Sequence, residues 1–275
     1  MKSLFFNCLD TEIHVRSWGD PNNCPLICWH GVSRNGGDFA FLARLLKDKF
    51  YVIAPDTPGR GLSAWEEDPE NYKIEHYILL IQDLVRQLGF EKFAFLGTSM
   101  GGTLGYLLAA THFKEKMTHL ILNDIGPMLY AEPLKRIGSY LSLSPEFNKM
   151  SDFKEYLQKI HGTFGPLTEN EWMKMAFYSC RKKDNGKLTH HYDKRIADNF
   201  KKLKNDINLF SFYDQVVCPT LLIRGGMSDL LTEELAKEMC QRGPKATLWT
   251  IEDAGHAPLL HREEEGLYIK HFLKD

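Results

Sequence analysis

Five consecutive residues, Gly97-Thr98-Ser99-Met100-Gly101, restrict this chain more than any other stretch. A serine with glycine two residues away on each side can occupy a turn too sharp for bulkier neighbours, and such a turn holds the hydroxyl out as a nucleophile. The apolar run Phe93-Ala94-Phe95-Leu96 before it has the length of a buried strand. Gly102 to Ala110 after it reads as a helix that opens on small residues, which allow close packing on a sheet. The first amides of that helix have no acceptors within it, so they would stabilise an oxyanion formed beside Ser99.

The surrounding pattern is strands alternating with helices. Short apolar runs at residues 4–9, 12–18, 25–29, 50–54, 93–96 and 119–122 predict strands. Ile74, Tyr77, Ile78, Ile81, Leu84, Val85 and Leu88 fall on one helical face, and Phe39, Leu42, Leu45 and Leu46 make a shorter one. The alternation stops near Pro127 and resumes with a strand at 219–223, a helix from Thr232, a strand at 246–251 and a closing helix at 263–273. This order implies an α/β fold with a mostly parallel sheet covered on both faces. Residues 128–212 instead read as amphipathic helices joined by polar turns such as Lys182-Lys183-Asp184-Asn185-Gly186, with no strand expected. The expected organisation is a core of residues 1–127 and 213–275 carrying a helical lid at 128–212. The lid holds 15 Lys and Arg against 10 Asp and Glu, +5, which leaves −7 for the remainder of a chain of net charge −2. A basic lid would draw in an anionic substrate, although lysines such as Lys201, Lys202 and Lys204 also suit a solvated helix face.

With that net charge and a pI near 6.6, the chain has no basic field for nucleic acid. The six cysteines are dispersed, and Cys24 and Cys28 lack the second pair that a four-ligand zinc site requires. Reduced thiols in a cytoplasmic protein are expected. The first residues turn polar after three apolar ones, too few for a signal peptide, and no run reaches the ~20 apolar residues of a membrane span. A small-molecule substrate is the expected partner, with monomer and homodimer both open.

A serine hydroxyl needs a base within hydrogen-bond reach and a group that orients the base. Among eleven histidines, His256 in Asp253-Ala254-Gly255-His256-Ala257-Pro258 stands in a loop directly after the last strand, at the carboxyl edge of the sheet. His30 also follows a strand, but the Gly31 and Val32 beside it point to a loop whose backbone amides matter. Two carboxylates are placed to orient His256. Asp229 follows the 219–223 strand and Asp124 ends the preceding one; the chain order serine, acid, histidine favours Asp229. The expected oxyanion donors are the amides of Met100 and Val32, with Gly31 allowing close approach. Trp29, Trp172, Phe177, Tyr178 and Arg181 are candidate substrate contacts. Activity is expected to rise from acid toward neutral pH, because a protonated His256 cannot accept from Ser99.

The ordered set of His30-Gly31, the Gly97 to Gly101 turn, Asp229 and His256 resembles the α/β-hydrolase family. Asp56-Thr57-Pro58-Gly59-Arg60-Gly61-Leu62-Ser63 resembles that family's turn after its fourth strand, and Gly255-His256-Ala257-Pro258-Leu259 its histidine loop. The resemblance implies an eight-stranded, mostly parallel sheet with a helical cap, and ester hydrolysis through an acyl-enzyme without metal or organic cofactor. Ser99 stands where the family's dehalogenases and epoxide hydrolases have aspartate. Ser99-Met100-Gly101-Gly102 is similar to the corresponding turn of carbon-carbon bond hydrolases, although many of those have asparagine where this chain has Thr98. That alternative would pair Arg181 or Arg195 of the lid with a substrate carboxylate. A binding protein that retains the pocket is the alternative from another class.

Overall fold

The computed structural model describes residues 1–274. Eight strands form one sheet: β1 Lys2–Cys8, β2 Thr11–Trp18, β3 Cys24–Trp29, β4 Phe50–Pro55, β5 Phe93–Thr98, β6 Met117–Asn123, β7 Thr220–Gly225 and β8 Thr247–Ile251, in the order β1-β2-β4-β3-β5-β6-β7-β8. β1 and β2 run antiparallel, as do β2 and β4, and the other pairs are parallel. The central strands are apolar on both faces because helices cover both. Ile27, Ile53, Phe95 and Leu122 pack toward one layer, and Leu26, Cys28, Val52, Leu96 and Ile223 toward the other.

The helix anticipated from Ile74 onward is α2, Ile74–Leu88, and Gly89 at φ 71 ends it in the left-handed conformation that glycine adopts without penalty. α1 spans Ala40–Leu46 and α3 Met100–Ala110; α3 is buried along nearly its whole length. The order β5, turn, α3 places Ser99 at the carboxyl edge of the sheet. The loops after β6, β7 and β8 open at the same edge.

Between β6 and β7 lie α4, Ala131–Leu141, α5, Met150–His161, and α6, Glu169–Ser179. Contrary to the strand-free expectation, short strands also occur here. Cys180–Lys182 pairs with Leu188–His190 as a hairpin whose turn is the predicted polar stretch, and Met128–Leu129 pairs with Ile207–Asn208. Two- and three-residue strands leave no alternating apolar pattern to read. Among the described residues, no helix is long and apolar enough to cross a membrane, and all six cysteines are free.

Candidate active site

Ser99 sits at φ 52, ψ −117, a conformation that L residues adopt rarely and that keeps its side chain off the helix axis. Its neighbours have to be small. A Cβ on Gly97 would lie 2.2 Å from the Gly101 carbonyl oxygen, and one on Gly101 would lie 2.1 Å from that of Trp29. Both clashes are with backbone, which explains both glycines of the pentapeptide without reference to chemistry.

The Ser99 hydroxyl donates to His256 Nε2 at 2.9 Å, and His256 Nδ1 donates to Asp124 Oδ2 at 2.7 Å. These three residues come from the loops after β5, β8 and β6. Asp124 is fully buried and at φ 58, which turns its carboxylate back across the sheet edge. Its oxygens accept from Gly225 N–H at 2.7 Å and from the Ser228 hydroxyl at 2.6 Å, besides the imidazole. A buried carboxylate with three donors is well compensated for lost water.

The acid favoured from chain order is therefore corrected: Asp229 makes no hydrogen bond to His256. Its side chain is half-exposed and lies 2.5 Å from Arg136 Nη1 of α4. Burial alone would raise the Asp229 carboxyl, but the Arg136 hydrogen bond and charge outweigh it and hold it below the usual carboxylate range. Chain order could not separate two aspartates that follow adjacent strands and both lie between Ser99 and His256. The partner that occupies Asp229 comes from a distant helix.

A cavity of about 330 Å³ opens over Ser99 and His256. Its apolar wall is Ile137, Ile160, Phe164 and Met227, and Arg34, Tyr140 and His161 add polar groups. Sequence reasoning missed these residues. The only signal was on α4, where Arg136, Ile137 and Tyr140 share a face. Arg34 is buried and bidentate on Asp38, at 2.8 and 2.5 Å. Burial, and then the Arg34 charge, push the His161 pKa well below the ordinary value.

None of the five aromatic and arginine candidates lines this cavity. Trp29 is buried in the core with its indole N–H on Thr57 Oγ1 at 2.9 Å, and Trp172 packs inside the helical layer. Phe177 is exposed, Tyr178 lies against Arg16, and Arg181 stacks on Trp65. Arg195, the other arginine considered for a carboxylate, is on Asp193 at 2.6 Å. Arg195 therefore already has a carboxylate of its own, whereas Arg181 faces the Trp65 ring away from the cavity.

The loop after β3 carries Val32 to the cavity wall. His30 Nδ1 donates to the Gly31 carbonyl at 2.7 Å while Nε2 accepts from Thr57 N–H at 2.9 Å, and Arg60 Nε holds the Val32 carbonyl at 2.9 Å. Gly31 is less constrained than anticipated: a Cβ there would meet Ser99 Cβ at 3.6 Å, an ordinary contact. Full burial lowers the His30 pKa from 6.5 to about 4. Between these values the unfolded chain carries a proton that the folded chain excludes, so stability rises with pH across that window. We expect about 3 kcal/mol to be lost as pH falls from 6.5 to 4, on the scale of 1.36 kcal/mol per pKa unit. His190, also lowered to about 4 chiefly by burial, acts in the same direction, whereas Asp56, held at about 2, gives stability that is constant over this window and is lost only as pH falls below its ordinary 3.8. Urea midpoints measured between pH 7 and 4 check this; a constant midpoint would contradict a neutral, buried His30.

Comparison with known proteins agrees with this architecture. A family model described as alpha/beta hydrolase fold matches residues 25–263. The 3-hydroxybutyrate-oligomer hydrolase of Cupriavidus necator is 35% identical over 251 residues, covering 88% of this chain and 85% of that protein. The crystal structure of a putative hydrolase from Rickettsia typhi superposes with a TM-score of 0.92 at 31% identity, covering 99% of this chain and 98% of that one. An alpha/beta hydrolase from Novosphingobium aromaticivorans gives 0.90 at 30% identity, with coverage of 99% and 98%.

Proposed function

We propose that this chain, which belongs to the alpha/beta hydrolase family, hydrolyses carboxylic esters through an acyl-enzyme on Ser99. The observation that carries the reading is the hydrogen-bonded series Ser99, His256, Asp124 at 2.9 and 2.7 Å, beneath a cavity of small-ligand size. His256 Nε2 takes the Ser99 proton as Oγ attacks the ester carbonyl carbon, and Asp124 stabilises the imidazolium that results. The amides of Val32 and Met100 hold the oxyanion. His256 then protonates the departing alkoxide. Water repeats the cycle on the acyl-enzyme and releases the acid and a restored Ser99.

Hydroxy-acid esters are the substrate class we favour, because the Cupriavidus necator relative is named for hydrolysis of 3-hydroxybutyrate oligomers. The apolar wall of the cavity suits a short acyl chain. We read residues 128–212 as a cap, a reading supported by Arg136, Ile137, Tyr140, Ile160 and His161 of two of its helices, which line the same cavity as Ser99. The test is covalent labelling with a fluorophosphonate, peptide mapping of the adduct, and turnover of nitrophenyl acetate and butyrate. The expected result is a single adduct on Ser99 and release of nitrophenol. Unlabelled Ser99 in folded protein that also leaves both esters intact would overturn the reading.

A further inference from the structure

Three arginines are buried among the described residues, and one differs from the other two. Arg16 is paired with Asp56 at 2.6 Å and Arg34 with Asp38, but Arg60, 1% exposed, has no carboxylate within ion-pair distance. A buried cation normally has an anionic partner, since burial removes its hydration. Arg60 is held instead by neutral groups. Its Nε donates to Val32 O at 2.9 Å, its Nη1 to Pro58 O at 2.8 Å and Tyr77 Oη at 2.6 Å, and its plane lies 5.7 and 5.3 Å from the Tyr72 and Tyr77 ring centres. Nη2 has only the Met100 sulfur at 4.0 Å, a weak acceptor, so its two N–H groups lack an oxygen.

Arg60 and Met100 line a second cavity of about 300 Å³, which also includes Val32, Tyr72, Ile74 and Phe200. Val32 belongs to the wall of the cavity over Ser99 as well, so the two spaces lie on either side of one residue, and Met100, next in sequence to Ser99, lines the second. Nearby acids are already engaged: Glu66 by Thr11, Asn71 and His76, and Asp193 by Tyr72 and Arg195. Lys73 and Glu75, both exposed, line the cavity too and offset one another in charge.

Resting on the ester-hydrolase reading, we infer that this second cavity receives a carboxylate carried by the ester substrate, with Arg60 Nη2 as its donor. The substrate class is then a carboxylate-terminated ester of a short hydroxy acid. An entering carboxylate supplies the counter-charge that the fold leaves out, and a guanidinium is shaped for that partner.

The experiment compares 3-butyryloxybutyrate with its neutral carboxamide, 3-butyryloxybutanamide, by kcat/KM, in the wild type, Arg60→Gln and Ile74→Trp. The wild type is expected to favour the carboxylate about 10- to 100-fold, the range of a charge-assisted hydrogen bond. Arg60→Gln should lose that preference mainly through KM. Ile74→Trp, which fills the cavity and keeps the guanidinium, should also lose it, and so serves if Arg60→Gln does not fold. Equal turnover of the two substrates by the wild type would overturn the inference. So would an Arg60→Gln loss that is equal on both and confined to kcat, the mark of a brace for Val32. If the wild type cleaves neither compound yet hydrolyses nitrophenyl butyrate, the inference fails and the ester reading stands. If nitrophenyl butyrate and fluorophosphonate labelling also fail, both fall.

Discussion

Replacing Ser99 by alanine is expected to lower kcat on every ester this chain hydrolyses by about 10⁴- to 10⁶-fold, the range found when a serine nucleophile is removed. The prediction is large because the substitution removes the atom that forms the covalent bond while His256 and Asp124 remain paired. It is also clean. Ser99 makes no side-chain cap bond to α3, and its hydroxyl has His256 as its sole hydrogen-bond partner among the described residues. Alanine shares the cost of positive φ with serine, so stability should change by less than about 1 kcal/mol. Circular dichroism and thermal melting establish that the fold is retained, and single-turnover assays with nitrophenyl butyrate measure the loss. Retained turnover in a correctly folded variant would remove Ser99 from the mechanism.

The strands and their order along the chain were legible because each apolar run is bounded by turn residues and both sheet faces are covered. The elbow was legible for a stronger reason: its glycines are dictated by backbone clashes, at Gly97 with Gly101 of the same turn and at Gly101 with Trp29 of the neighbouring strand, and no side chain is tolerated at either. The cavity was not. Whether an aromatic residue walls a pocket or fills the core depends on what stands opposite, and Trp29 at the end of β3 is committed to Thr57 in the loop after β4. The same holds for the acid. Asp124 and Asp229 both follow neighbouring strands and both lie between Ser99 and His256 in the chain, and they are distinguished by positive φ at one and by Arg136 at the other. Neither feature has a spacing that a sequence reader can recognise.

Those two aspartates give the second prediction, in which Asp124→Asn should reduce kcat by about 10⁴-fold while Asp229→Asn stays within about tenfold of the wild type. An asparagine at 124 keeps the shape but can turn its amide toward His256 Nδ1, which then becomes an acceptor and leaves the proton on Nε2. That tautomer cannot take the Ser99 proton. Asp229→Asn instead breaks a half-exposed ion pair with Arg136, worth at most about 1 kcal/mol, and leaves the 2.7 Å contact between His256 and Asp124 in place. Measuring kcat for both variants on one ester decides the matter, because assignment of the acid to Asp229 requires the two effects in the opposite order.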